Sequence, residues 1–170
     1  MSQHQLILSL GGNLGNKSQI FSDTYRLIKK NIGVITRLSS IYQTPPWGFR
    51  SKKYFWNQIA IVSTELGPLE ILDQIAAIES HFGRKRTPGK YLSRKMDIDI
   101  LFYDQLVLES KILTIPHPQI ENRKFVLVPL AEIIPEFIHP KSGISIANLL
   151  KLCDDSSEII RILPPEKNNT

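Results

Sequence analysis

The 170-residue sequence has a single cysteine, Cys153, which excludes a disulfide framework and any cysteine-built zinc site. No apolar run approaches the roughly 20 residues that cross a bilayer as a helix. The start, Met1-Ser2-Gln3-His4, has no basic residue ahead of the short stretch Leu6–Leu10. It makes a poor secretion signal, so a reduced, cytoplasmic setting without a membrane partner is expected. Repeats, low-complexity linkers and charge-block tails are also missing. What the sequence does have is a basic excess, 21 Lys+Arg against 16 Asp+Glu, for a formal net charge of +5. Such an excess suits nucleic acid, a membrane surface or a small anionic substrate, and the total does not choose among them.

Residues 5–10 read as a short β-prone run ending at Gly11-Gly12. The spacing of Ile20, Tyr25, Leu27, Ile28 and Ile32 predicts a helix over 18–32, stopped by Gly33. Residues 34–42 are expected to form a strand from their β-branched content. The prolines of Thr44-Pro45-Pro46-Trp47-Gly48 then break regular structure. A buried strand is predicted over 55–64. Gly67-Pro68 opens a helix over 68–82, with Leu69, Leu72, Ile75, Ala76 and Ile78 on its apolar side. Residues 83–95 read as a basic loop and 96–103 as the strongest strand, followed by a turn at Asp104-Gln105. Residues 124–134 are another apolar segment and 146–152 a short helix. Residues 1–163 are expected to form one domain, with 164–170 expected as a disordered tail. Several strand pairs leave no room for a crossover helix, so the expected class is α+β with a largely antiparallel sheet.

Three features carry chemistry. The first is Gly11-Gly12-Asn13-Leu14-Gly15-Asn16-Lys17-Ser18, which follows a strand and precedes a helix. A phosphate-binding P-loop needs glycine where Asn16 stands, and the dinucleotide fingerprint fails at Asn13. A glycine turn closing the strand, or a mobile loop beside an active site, remains open.

The second is Asp97-Ile98-Asp99-Ile100. Strand period 2 puts both carboxylates on one face, roughly 7 Å apart at Cα. Alone, such a pair reads as the solvated face of an edge strand. Beside Arg84, Lys85, Arg86, Lys90, Arg94 and Lys95 it instead suits Mg²⁺ and a polyphosphate. The third is a scatter of single residues. His117 lies between prolines, and Arg123 follows it. Asn57 is polar in an apolar strand, so it needs partners if buried and is a candidate for reading a heterocycle edge. Phe55 and Phe125 read as core, Glu79 as one half of a helical salt bridge, and Cys153 has no role.

In combination these pieces resemble the 6-hydroxymethyl-7,8-dihydropterin pyrophosphokinase family over about residues 5–140. The resemblance runs through Leu8–Gly15, Ser39–Gly48, Phe55-Trp56-Asn57, Ile78-Glu79, Gly83–Arg86, Arg94–Ile100, Ile115–Pro118 and Arg123–Leu130. It implies a monomeric ferredoxin-like fold and transfer of the β,γ-diphosphate of ATP to the pterin hydroxymethyl oxygen, releasing AMP. By motif position, Asp97 and Asp99 are implied to hold two Mg²⁺ ions, with Asp97 also contacting pterin. Arg84, Arg86, Arg94, His117 and Arg123 would contact the triphosphate, Arg84 and Arg94 stabilising its shifting charge. Glu79, Tyr91, Ile100 and Thr114 would lie near the nucleotide. Phe55 and Phe125 would sandwich the pterin ring, while Thr44, Pro45, Trp47 and Asn57 line and read its edge. Loops near 11–17, 45–53 and 83–93 would close over the reactants. The family has a loop and no P-loop after its first strand, in line with the misfit at Asn16. Departures are Tyr91 in place of a tryptophan found in some members, and Leu92 where a small residue is usual. Ala76, Ile112 and Pro118 also stand where some relatives have polar or aromatic nucleotide contacts.

Two rivals differ in class or product. A basic α+β module with sheet aromatics such as Phe55 could bind single-stranded RNA. A nucleotidyltransferase would share the metal-binding carboxylates but release pyrophosphate. The charge distribution separates the first. Residues 84–95 hold six basic residues and no acidic one, and taking them away leaves 15 basic against 16 acidic residues. One local cluster suits a compact polyphosphate and small-molecule partners better than a long nucleic acid.

Overall fold

A computed structural model describes residues 2–45, 53–83 and 92–163. In chain order the elements are β1 (His4–Gly12), α1 (Lys17–Asn31), β2 (Val34–Leu38), β3 (Ile41–Thr44), β4 (Phe55–Thr64) and α2 (Pro68–His81). They continue with β5 (Asp97–Tyr103), β6 (Leu108–Glu109), β7 (Thr114–Ile115), a 3-10 turn (Ile120–Asn122), α3 (Lys124–Ile133), α4 (Ile146–Leu152) and β8 (Ile160–Leu163). The main sheet runs β5-β1-β4-β3-β8, with β2 also on β4, while β6 and β7 form a separate ribbon. Every pairing in it is antiparallel. Through β5, with β2 and β3 counted as one interrupted strand along β4, this is the β-α-β-β-α-β ferredoxin-like arrangement, as expected.

Strand alternation divides the core between two faces. Leu6, Leu8, Leu10, Ala60, Val62, Ile98 and Ile100 pack under α1 and α2 through Phe21, Ile28, Ile71, Ile75 and Ile78. The opposite face carries Ile7, Ile59, Ile61, Leu101 and Phe102 under Val126, Leu127 and Leu130 of α3 and Ile146 and Leu149 of α4. Each fully buried side chain of this size stabilises the fold by about 1.5–3 kcal/mol before entropy is counted. On the second face the apolar run of β1 and β4 gives way to Ser9, Gly11 and Asn57. Asp97 and Asp99 precede Leu101 on the same side of β5.

Several sequence-based boundaries shift for physical reasons. The run 34–42 is two strands, because side chains replace backbone partners at Ser39-Ser40, although the Ser39 N–H still donates to the Ile59 carbonyl at 2.9 Å. The Ser39 hydroxyl accepts the Ile59 N–H at 2.9 Å, and Glu132 accepts the Ser40 N–H at 2.5 Å and its hydroxyl at 2.6 Å. Gly11 and Gly12 do not close β1 but belong to it. At Gly12 an added Cβ would lie 2.1 Å from the Lys95 carbonyl oxygen, so only glycine lets β1 pass the entry to β5. On α2, Leu69 and Ala76 face outward, while Ile71 joins Ile75 and Ile78 in the core. The apolar segment 124–134 is a helix, and 146–152 is helical as expected. The proposed tail 164–170 lies outside the described residues.

One irregularity bears on the site. The β1–β5 register shifts between Ile7, opposite Phe102, and Leu8, opposite Ile100, so Leu101 is an extra residue in the edge strand. Its carbonyl accepts the His117 N–H at 3.0 Å, which pins the following proline-flanked turn against β5. The Ile115-Pro116 peptide in that turn is cis.

Candidate active site

Strand register assembles the first half of the site. Tyr42, Asn57, Gly11 and Asp97 lie side by side across β3, β4, β1 and β5. One row along, Thr44 opposes Phe55, and on the other side Ser9 lies between Ile59 and Asp99. Gly11 leaves room for its neighbour, since a Cβ there would approach the Asn57 Oδ1 to 3.3 Å. Asn57 is buried and its Nδ2 donates to the Thr44 Oγ1 at 2.9 Å. The polar residue in an apolar strand has therefore found its partner in a second residue expected to read the same heterocycle edge. Pro45 follows, exposed. Trp47, Arg84, Arg86 and Tyr91 lie outside the described residues, as does most of the basic loop.

Arg94 links the aromatic and acidic parts of this face. Its guanidinium carbon lies 5.5 Å from the Phe55 ring centroid, and its Nη1 is 3.3 Å from the Asp97 Oδ2. Its Nε is buried and has no hydrogen-bond partner among the described residues. A buried guanidinium N–H without an acceptor is costly, on the order of 1–3 kcal/mol, and marks a position suited to an incoming anion.

Asn13 holds Arg94 in place. It is buried, its Oδ1 accepts the Arg94 N–H at 2.8 Å, and its own N–H donates to the Arg94 carbonyl at 2.9 Å. Its Nδ2 donates to the Lys53 carbonyl at 3.2 Å and the Ser93 hydroxyl at 3.0 Å. The residue that breaks the dinucleotide fingerprint thus fastens the end of β1 to the chain entering β4 and β5. Lys17 adds a parallel tie, donating to the Tyr54 carbonyl at 3.3 Å beside the Trp56 ring.

The second half of the site lies along the outer edge of β5. A cleft of about 260 Å³ is walled by α2 through Leu72 and Ile75, by Ile98, Asp99 and Ile100, and by the β6–β7 ribbon through Ser110–Thr114, with His117 and Pro118 at one end. It thus collects Ile100, Thr114 and His117, three residues expected near a nucleotide, and also Ile112 and Pro118. The His117 Nδ1 accepts the Gln119 N–H at 3.1 Å, which leaves Nε2 to carry the ring proton. Burial, reinforced by the Arg123 charge and opposed by Asp97, pushes the His117 pKa down to about 4. The ring is neutral at ordinary pH, and Arg123 and Asp97 are both close enough to act on it. The Arg123 guanidinium in turn lies 5.7 Å from the Phe125 ring centroid.

Glu79 is buried at the end of α2, where its Oε2 accepts the Ile98 N–H at 3.2 Å and satisfies an edge amide of β5. Its visible task is to hold the strand that bears the aspartates. Leu92 is exposed, Ala76 lies on the outer side of α2, and Cys153 packs against the second core. Asn13 and the Leu101 carbonyl were missed as site-building groups. For Asn13 the only signal was its place in the glycine motif.

Asp97 and Asp99 are both partly exposed on one face, Asp97 beside Arg94 and Asp99 in the cleft wall. No cluster of three or more His, Cys, Asp or Glu side chains stands ready for a metal among the described residues. Two partly exposed carboxylates on one strand face fit a hard divalent cation that keeps waters and takes substrate phosphates as its remaining ligands.

Comparison with known proteins agrees with this geometry. Residues 7–135 match the family model described as 7,8-dihydro-6-hydroxymethylpterin-pyrophosphokinase (HPPK). A 2-amino-4-hydroxy-6-hydroxymethyldihydropteridine pyrophosphokinase of Porphyromonas gingivalis is 38% identical over 138 residues, covering 79% of this chain and 93% of the relative. The protein of that name from Aquifex aeolicus is 36% identical, covering 78% and 82%. Among solved structures, a Plasmodium falciparum HPPK-DHPS shares the fold with a TM-score of 0.73 at 19% identity over 89% of this chain. The chain spans 43% of that longer protein. Since the family model matches residues 7–135 and both relatives are more than 30% identical over more than three quarters of this chain, the chain belongs to the 7,8-dihydro-6-hydroxymethylpterin-pyrophosphokinase family.

Proposed function

We propose that this protein transfers the β,γ-diphosphate of ATP to the hydroxymethyl oxygen of 6-hydroxymethyl-7,8-dihydropterin, giving the pterin diphosphate and AMP for folate synthesis. The observation that carries this reading is the continuity of one surface. The Asn57–Thr44 pair and Phe55 adjoin Arg94 and Asp97, and Asp99 begins the cleft that runs on to Ile100, Thr114 and His117. A flat heterocycle with amide-like edges suits the first part, and a nucleotide suits the second. The seam between them is where a phosphate chain would lie.

Asn57 and Thr44 read the pterin edge, and Phe55 and Phe125 cover its faces. Arg94 and Arg123 receive phosphate oxygens, and neutral His117 donates one hydrogen bond from Nε2. Asp97 and Asp99 hold Mg²⁺, which when bound neutralises phosphate charge and orients the reacting oxygens. The hydroxymethyl oxygen attacks the β-phosphorus in line, the bond from that phosphorus to the α-β bridging oxygen breaks, and AMP leaves with that oxygen. The hydroxyl proton passes to solvent. Positioning and charge stabilisation account for this chemistry without a strong base. The working form is a cytoplasmic monomer with small-molecule partners only. Among the described residues no helix is long and apolar enough to cross a membrane.

The test is product analysis after incubation with ATP, Mg²⁺ and hydroxymethyldihydropterin, with and without chelator. AMP formed only with the pterin and the metal supports the reading. ADP as the nucleotide product points to an ordinary kinase. Pyrophosphate release points to nucleotidyl transfer.

A further inference from the structure

The chain beyond α4 lies outside the family-matched residues 7–135, yet it reaches the site from two sides. Helix α3 begins at Lys124, with Arg123 in the cap position. An arginine side chain has no acceptor and cannot cap a helix. The missing acceptor comes from Asp155, whose Oδ2 takes the Lys124 N–H at 3.0 Å. The other carboxylate oxygen is held by the Ser157 N–H at 2.9 Å and by the Ser157 hydroxyl. The Lys124 ammonium reaches the Ser157 carbonyl at 3.5 Å, closing the ring of contacts. A few residues later β8 pairs with β3, placing Arg161 opposite Tyr42, and Arg161 lies 3.6 Å from Glu132 of α3.

We propose that Asp155 is a positioning residue for the pterin site, fixing the first turn of α3 and so the placement of Arg123 and Phe125. The inference rests on the proposed function for the role of Phe125. Two features favour positioning over a purely structural part. The carboxylate meets the helix at the turn that carries both side chains, where its negative charge is favoured by the helix dipole. Burial raises the Asp155 carboxyl, but its bonds to Ser157 and Lys124 outweigh this and hold it below the usual range. It therefore stays an anion, the better acceptor, over the working pH range.

The experiment compares Asp155→Ala and Asp155→Asn in the full-length protein by amide hydrogen exchange and steady-state kinetics. The alanine variant is expected to speed exchange at residues 124–127 about tenfold. It should raise the pterin KM about tenfold, with kcat within about twofold, a loss of roughly 1.4 kcal/mol in pterin binding. The asparagine variant keeps an acceptor and is expected to recover most of both. Unchanged exchange at 124–127 would overturn the proposal. So would faster exchange with an unchanged pterin KM, or an asparagine variant as impaired as the alanine one. Wild-type protein that ignores pterin while Asp155→Ala still loosens α3 would instead mark failure of the proposed function, with the helix anchor upheld.

Discussion

The guanidinium of Arg94 lies over the ring of Phe55, 5.5 Å from its centroid, and the same group pairs with Asp97 at 3.3 Å. One side chain therefore touches both the surface assigned to pterin and a carboxylate assigned to metal. Arg94→Ala should lower kcat by about 100-fold, the scale of losing one preorganised donor to developing charge. Arg94→Lys should recover little, because an ammonium lacks the planar fork and stacks poorly on the ring. Steady-state kinetics at saturating ATP measures this, and a fully active lysine variant would argue against the assigned role.

Asp97→Asn and Asp99→Asn keep shape and remove charge. Each should cut turnover by at least about 100-fold while circular dichroism and melting stay near wild type. Rising Mg²⁺ should restore part of the rate if the defect is metal affinity. Near-normal rates in both variants would remove the metal assignment.

Asn13 should matter to both folding and catalysis. Asn13→Ala deletes the side-chain bonds to Arg94, Lys53 and Ser93 and leaves buried groups without partners. A stability loss of about 1–3 kcal/mol is expected in urea unfolding. Turnover should fall beyond what that loss explains, since Arg94 loses its backbone anchor. Rates equal to wild type at a temperature where the variant is fully folded would confine Asn13 to a structural role.

His117 predicts a pH effect with a definite sign. Its pKa is about 4 in the folded protein, against an ordinary value of 6.5, so between those values the unfolded chain binds the extra proton. Its contribution to stability is fully present above about pH 6.5 and is lost as pH falls toward 4, at up to about 1.4 kcal/mol per pH unit. Urea unfolding of wild type and His117→Asn across pH 4–7 should show a shallower slope in the variant. Parallel slopes would mean the ring is not held neutral by its surroundings.

Much of the site was legible because it rests on local rules. Period 2 alone places Asp97 and Asp99 on one face, and Asn57 in an apolar strand had to have a partner. The Ser39-Ser40 break was not legible, because Glu132, about 90 residues away in sequence, supplies the side chain that takes the place of a backbone partner there. Leu101 looks like any apolar strand residue, and only the partner strand reveals it as the bulge that receives His117. Asn13 read only as a misfit in a dinucleotide fingerprint, since its three partners come from segments far along the chain. Leu69 and Ala76 sit at near-helical spacing with the true core positions of α2, and only the packed sheet decides which stripe turns inward.

The central claim is that two phosphates move together to a pterin. ATP carrying label on its β-phosphorus, incubated with hydroxymethyldihydropterin, Mg²⁺ and the enzyme, tests it most directly. The account predicts that the label leaves the nucleotide and appears in the pterin product as unlabelled AMP accumulates. Label retained in ADP, or released as free pyrophosphate while the pterin stays unmodified, would contradict it.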